Sequence, residues 1–150
     1  QLQANETEKF DLVTIMHVLE HLEDPLGILR KIRTDLLEDS GFLLVEVPNF
    51  YAHESYELAH LGCFTEHTLS EMLKQAGYKS MHTRKHGYPR SETLDLYLTV
   101  LARPDSQPEE IPAVTPEHNV AFNRTLGTLK RNVLTKLMPG KTWLPLEDQA

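Results

Sequence analysis

The chain has 150 residues, of which 40% are apolar and 25% charged, a composition for one folded domain rather than a disordered tail. Its formal net charge of −7 argues against a general nucleic-acid binder, which must bring excess cations to the phosphates. A single cysteine, Cys63, excludes an intrachain disulfide and a cysteine-based zinc module, and fits a reducing, cytoplasmic setting.

No apolar run approaches the roughly 18 residues of a membrane span. The opening stretch "QLQANETEK" is polar and has neither the basic region nor the apolar core of a signal peptide. It lacks an initiator Met, so a cut end is expected there. "FDLVTIM" (Phe10 to Met16) is short, apolar and β-branched, which predicts a buried strand. Asp24-Pro25 predicts a helix start, because Asp accepts bonds from free amides and Pro has no amide to leave unpaired. Leu26, Leu29, Ile32, Leu36 and Leu37 recur at helical spacing, and "EDSG" closes that helix with Gly41 as its stop. "FLLVEV" (Phe42 to Val47) predicts a second buried strand, ended by Pro48-Asn49. Strand, helix and strand with short connections predict a right-handed βαβ unit and parallel pairing, with both faces of the sheet covered.

"FYAHESYELAHLGCF" is a long connection with room for a short helix. Thr65 caps the next helix, whose stripe is Leu69, Met72, Leu73 and Ala76, ending at Gly77. Residues 78–86 are a weaker strand. Leu94, Leu96, Leu98, Val100 and Ala102 alternate as one face of a strand over 94–102. The link between these two strands is too short for a crossover helix, so they pair antiparallel. "RPDSQPEEIPAVTPEH" holds four prolines in sixteen residues and reads as an extended linker. Thr115-Pro116-Glu117 starts a last helix, in which Phe122, Leu126, Leu129, Val133 and Leu137 form one stripe that requires a partner surface. Arg124, Lys130, Arg131 and Lys136 make it basic, and Pro139-Gly140 ends it. Trp143 is expected to pack the tail onto the body. The organisation is thus 1–103 as a domain portion, 104–115 as linker and 116–150 as amphipathic helix and tail.

"HVLEHLEDP" (17–25) spells H-x-x-E-H. On a helix this is the inverted zinc-peptidase signature. A zinc helix must carry both histidines on one face of regular helix. Here residues 17 to 24 join a strand to a helix, and a third ligand at recognisable spacing is missing, so no metal is expected at His17 and His21. The segment lies instead at the carboxyl end of a parallel strand, where open α/β sheets bind ligands.

"FDLVTIMHVLEHLEDPLGILRKIRTDLLEDSGFLLVEVPN" followed by "FTEHTLSEMLKQAGY" resembles the second half of a class I S-adenosylmethionine-dependent methyltransferase. The resemblance covers roughly residues 8 to 103 and is nearest to enzymes of quinone, sugar and surface-polysaccharide biosynthesis. It implies an α/β, Rossmann-like sheet of order 3-2-1-4-5-7-6, of which this chain would supply the fourth to seventh strands, strand 7 antiparallel, plus the C-terminal amphipathic helix. It also implies that the glycine-rich loop and the ribose-binding acid precede Gln1. It implies S-adenosylmethionine as cofactor and a small-molecule acceptor.

On that resemblance, His17 and Val18 lie where the strand 4 loop passes the cofactor, and Asn49, Phe50 and Tyr51 lie where the acceptor pocket forms. His60 matches the histidine preceding "FT" and is a candidate general base, since imidazole can take a proton near neutral pH. His21 is a second catalytic candidate, facing the methyl or the acceptor. Glu20 reads as a loop organiser that accepts amide bonds, and Cys63 as a packing residue. The transfer is an SN2 displacement at an activated sulfonium, so the protein chiefly supplies in-line positioning and, where needed, a base. The alternatives are a non-catalytic scaffold acting through the basic helix and, more remotely, the zinc hydrolase. Association with a second copy is expected through the uncovered edge of strand 4 or through the C-terminal helix.

Overall fold

The computed structural model describes residues 9–53, 58–105 and 113–145. The readings of residues 1–8, of 106–112 in the Pro-rich stretch and of 146–150 in the tail fall outside the described residues, as does part (54–57) of the long connection. Four strands make one sheet: β1 (Phe10–Met16), β2 (Leu37–Pro48), β3 (Tyr78–His86) and β4 (Tyr97–Pro104), in the order β1-β2-β4-β3. β1 and β2 are parallel, and β4 runs antiparallel to both β2 and β3. In the strand numbers implied by the resemblance this is 4-5-7-6, so the expected order and the antiparallel last strand are both present.

The helices are α1 (Pro25–Lys31), α2 (Glu66–Gln75), α3 (Val120–Leu137) and the short α4 (Pro139–Thr142). α1 begins as its sequence dictates. The Asp24 carboxylate accepts the Gly27 amide at 2.8 Å, which satisfies one of the free first-turn donors. α2 carries a reciprocal cap between Thr65 and Thr68. It ends at Gly77, whose φ of +82° is open to glycine without strain. The core lies between these two helices and one sheet face: Leu29, Leu43, Val45, Leu69, Leu73 and Leu98 are all fully enclosed.

Several boundaries differ from the sequence reading. The first helix stops at Lys31, widens into one π-helical turn (Ile32–Leu36) and gives way to β2 at Leu37. Gly41 is therefore inside a strand, not a helix stop. Leu37 is fully buried and pairs with Phe10, so burial in the sheet outweighs its helical spacing. An added Cβ at Gly41 would sit 3.0 Å from the Phe10 carbonyl oxygen, which explains a glycine where β1 and β2 close up. β4 begins at Tyr97 rather than 94. Leu94 and Leu96 are buried all the same, and the Leu96 carbonyl accepts the Asn49 amide at 2.8 Å. The alternation thus marks burial beyond the ladder. The long connection shows turns and no helix among its described residues.

The coverage of β1 is another correction. Phe10, Leu12 and Met16 are 52%, 52% and 42% exposed, because β1 is the sheet edge and one of its faces is open in this chain. The expected start of the last helix at Thr115 is also displaced. Residues 113–118 run without helix, tied to α2: the Thr115 amide donates to Glu71 and its carbonyl accepts from His67. α3 starts only after Asn119, which takes a left-handed φ of 59°. Finally, the apolar stripe of α3 is not covered by the described residues. Phe122, Leu126, Leu129, Val133 and Leu137 all stay exposed. The helix docks by another face, where Arg124 and Arg131 donate to the carbonyls of Phe50 and Ala52. Trp143 packs under the Arg131 guanidinium, 4.7 Å from it. No helix among the described residues is long and apolar enough to cross a membrane.

Candidate active site

The carboxyl end of β1 is built by one unusual backbone turn. His17 has φ of 54°, a left-handed conformation that a side-chain-bearing residue seldom takes and that marks functional turns. Its amide still donates to the Glu46 carbonyl at 2.9 Å, which holds the turn to the end of the sheet. The chain then drops Leu19 and Glu20 inward, each 1% exposed, while Val18 stays 45% exposed. Residues Leu19–His21 form a single tight helical turn. The regular helix that a zinc-peptidase motif requires is therefore not present here.

A second segment is clasped against this turn. The Glu20 carbonyl accepts the amides of Leu61 and Gly62 at 2.8 and 3.0 Å. His21 Nδ1 lies 2.9 Å from the Ala59 carbonyl oxygen, and only an N–H can face a carbonyl so closely. The rings of His21 and His60 meet edge to face at 4.8 Å. The structure thus unites His17, His21 and His60, which the sequence separates by up to 43 positions (60 − 17). Glu20 organises the loop by accepting amide bonds, as expected, and does so through its main-chain carbonyl. Its two carboxylate oxygens have no hydrogen-bond partner; the imidazoles of His17 and His21 come no nearer than 3.5 and 3.9 Å. Glu20, His21 and His60 offer donor atoms within 4.8 Å of one another, a set of the kind that can hold a metal ion.

His17 also faces a polar chain that sequence reasoning missed. Its Nε2 is 3.2 Å from Glu46 Oε1. The other Glu46 oxygen accepts the Thr99 hydroxyl at 2.6 Å and lies 3.1 Å from His86 Nε2. Tyr97 stacks edge-on to His17 at 5.0 Å, and burial pushes its phenol above the ordinary tyrosine range. The signal for this group was Glu46 itself, a carboxylate in the middle of "FLLVEVP".

The three residues after β2 separate from one another. Asn49 is 6% exposed, and its side chain is engaged: Nδ2 donates to the Asp95 carbonyl and Oδ1 accepts the Tyr51 amide. Phe50 lies under the Arg124 guanidinium at 4.2 Å. Tyr51 donates its hydroxyl to Glu117 at 2.7 Å, and Thr65 donates to the same carboxylate at 2.5 Å. Burial and then the Glu117 carboxylate raise the Tyr51 pKa. Asn49 and Tyr51, with His67, Glu117, Asn123 and Leu126, border a cavity of about 670 Å³ between α2 and α3. Glu117 was read only as a helix start, because nothing in one sequence marks its contact with a residue 66 positions away. Cys63 is exposed rather than packed.

A family profile described as "Methyltransferase domain" matches residues 1–83, more than half of the 150. Over 57 residues the chain is 39% identical to a ubiquinone biosynthesis O-methyltransferase of Glaesserella parasuis serovar 5 (strain SH0165), which covers 38% of this chain and 23% of that protein. Among solved structures it is similar to the 1,6-didemethyltoxoflavin-N1-methyltransferase of Burkholderia thailandensis, solved with 1,6-didemethyltoxoflavin and S-adenosylhomocysteine bound, at a TM-score of 0.55 and 21% identity over 69% of this chain and 48% of that one. It is likewise similar to an S-adenosylmethionine-dependent methyltransferase from Clostridium acetobutylicum ATCC 824, at a TM-score of 0.52 and 12% identity over 69% and 61%. At those identities the two structures speak for the fold. The chain spans less than a quarter of the curated relative and about half to three fifths of the solved ones.

Proposed function

The chain belongs to the methyltransferase-domain family, and from that premise we propose that it forms the acceptor-side part of an S-adenosylmethionine-dependent methyltransferase acting on a small molecule. The observation that carries this reading is the His17 turn. It places a strained, half-open strand exit at the carboxyl end of a parallel pair, where α/β folds bind ligands.

The residues present fit one wall of the cofactor's site. Met16 and Val18 leave apolar surface exposed on either side of the turn, suited to the uncharged parts of such a ligand. When bound, the cofactor supplies a methyl group already activated on a sulfonium. What remains for the chain is positioning and proton handling. In this reading His17 and Val18 border the cofactor, and His21 and His60 face the acceptor as the catalytic pair. Glu46 fixes the tilt of the His17 ring. Asn49, Phe50 and Tyr51 shape the acceptor side, with Asn49 as the anchor that ties the end of β2 to residues 95 and 96. Residues 104–115 connect this portion to the α3 segment, and α3 closes over Phe50. The acceptor class we favour is a hydroxyl-bearing biosynthetic intermediate, in line with the curated relative.

Titration of the ¹⁵N-labelled chain with S-adenosylhomocysteine tests this. Amides of Met16, His17 and Val18 should shift with millimolar affinity, while those of Lys79 to Arg84 stay still. Shifts confined to β3 or to α3, with the Met16, His17 and Val18 amides unmoved, would defeat the proposal.

A further inference from the structure

We propose that Glu20, His21 and His60 form a site for one divalent transition-metal cation, with its open side available to an oxygen of the acceptor. The cation site stands on its own donor set; the acceptor's place in it rests on the methyltransferase reading, and with the cation bound His21 and His60 act on the acceptor through it rather than as proton acceptors.

The first ground is an unbalanced buried charge. The Glu20 side chain is 2% exposed and both its oxygens lack a hydrogen-bond partner. An isolated carboxylate removed from water is strongly unfavourable unless positive charge or donors meet it. The neighbouring imidazole nitrogens, at 3.5 and 3.9 Å, are beyond hydrogen-bond reach. They flank the carboxylate at ion-pair distance without donating a hydrogen bond to it.

The second ground is the tautomer of His21. Its Nδ1 faces the Ala59 carbonyl at 2.9 Å and so carries the proton. Its Nε2 is thereby turned to the side of the Glu20 carboxylate, 3.9 Å from Oε1. In the neutral ring that nitrogen presents a lone pair beside an anion, an arrangement that a cation between them satisfies. An N–H donated to a backbone carbonyl is also how metal-binding histidines are commonly held and made more basic. His60 adds a third donor from the opposite segment, all three lying within 4.8 Å of one another.

The third ground is preorganisation. The segment bearing His60 cannot drift from Glu20, because the Leu61 and Gly62 amides both bond the Glu20 carbonyl. Ligands about 2.1 Å from a tetrahedral zinc lie about 3.4 Å from one another. Side-chain rotations that close the donor set, at most 4.8 Å apart, by up to about 1.4 Å therefore complete the site without moving this clasp. One oxygen and two nitrogens favour zinc, cobalt, manganese or iron over magnesium or calcium, which take oxygen donors. Glu20 walls the inner side, while the His21 ring is 40% exposed, so the open side faces outward. From the sequence no metal at all is expected, with only His17 and His21 weighed as ligands on one helix, and the proposed site departs from that expectation. The donor set here replaces His17 with His60, which the motif does not contain.

The test uses the purified full chain after chelator treatment, with Co²⁺, Zn²⁺ and Mg²⁺ as probes. Calorimetry should show one Co²⁺ or Zn²⁺ per chain, with visible Co²⁺ bands of nitrogen and oxygen ligation, and weaker Mg²⁺ binding. His60→Ala and His21→Ala should each weaken Co²⁺ binding by about tenfold or more, and His82→Ala, an exposed histidine on β3, should leave it unchanged. Glu20→Gln should remove the stoichiometric site while the metal-free melting temperature holds or rises. Binding that survives His60→Ala, or no saturable binding above that of a bare histidine peptide, would overturn the site. Metal binding together with S-adenosylhomocysteine shifts confined to β3 or to α3 would leave the cation site standing and remove the acceptor's place in it.

Discussion

Gly127→Ala decides whether α3 is docked or free, because the two cases predict opposite signs. In a free helix, replacing an interior glycine by alanine stabilises by about 1 kcal/mol. Here an added Cβ would overlap the Tyr51 carbonyl oxygen and sit 3.0 Å from its carbon. The obstacle is backbone, held by Asn49 and by the Phe50–Phe64 amide bond, so the helix must shift. Overpacking of this kind costs about 1–3 kcal/mol. If α3 lifts away, the guanidinium bonds of Arg124 and Arg131 to the Phe50 and Ala52 carbonyls are weakened as well, and charged hydrogen bonds are worth about 1.5–3 kcal/mol when fully formed. Subtracting the helix gain leaves a loss of about 0–2 kcal/mol, to which the weakened guanidinium bonds add, so the docked structure predicts a net loss. Urea unfolding gives the stability, and hydrogen exchange at residues 50–52 reports the contact. Gly140→Ala is the reference, since nothing lies within 4 Å of its added Cβ. A variant at 127 that is more stable than the parent, with unchanged exchange at 50–52, would refute the docking.

Asp24→Ala removes the carboxylate that accepts the Gly27 amide, and should cost about 1 kcal/mol in urea unfolding, as lost caps do. Leu129→Gln with Val133→Gln should change stability by no more than about 0.5 kcal/mol per site, because both are exposed; a loss of several times that, by the same method, would show the stripe to be packed. Glu71 has its pKa lowered, first by the Lys74 hydrogen bond and then by the Thr115 amide. Its folded value lies below its unfolded one, so the contact contributes fully above the ordinary glutamate range and is lost as pH falls through the depressed value. The protection of the Thr115 amide, measured as its exchange rate relative to the unstructured rate at the same pH, should therefore fall in acid, and Glu71→Gln should flatten that dependence.

The sheet was legible because its signals are local. β1, α2 and β3 lie where the apolar spacing and caps put them, and connection length alone required β3 and β4 to be antiparallel. The errors share one cause. Leu37, Leu94 and Leu96 are buried by partners distant in sequence, and a period of apolar residues reports burial rather than the hydrogen-bond ladder. The exposed stripe of α3 is the opposite case. An amphipathic pattern states that a face needs a partner, but the chain satisfies the helix through Arg124, Gly127 and Arg131 instead, and the stripe stays open. β1 shows the same gap between pattern and packing. Its seven residues read as a strand covered on both sides, yet Phe10, Leu12 and Met16 are exposed.

The candidate site divides along the same line. His17, Glu20 and His21 were visible as a motif because they are consecutive on one turn. Their function depends on what the fold brings to that turn, and sequence spacing does not encode it. Glu46 comes from the neighbouring strand and meets His17 at 3.2 Å. His60 arrives through a clasp of the Leu61 and Gly62 amides on the Glu20 carbonyl and the His21 ring on the Ala59 carbonyl, which no local side-chain pattern announces. The residue type most open to misreading was Glu20. A glutamate in a loop suggests a cap or a solvated charge, and its main chain does perform the organising role. Only burial, at 1% exposed, separates the carboxylate from a solvated charge. A carboxylate enclosed without hydrogen-bond donors is unfavourable unless positive charge meets it, and the imidazoles of His17 and His21 at 3.5 and 3.9 Å, or the cation proposed above, are the groups placed to supply it. Glu20→Gln separates these two sources, because it removes the stoichiometric cation site in the second case and leaves no such site to lose in the first.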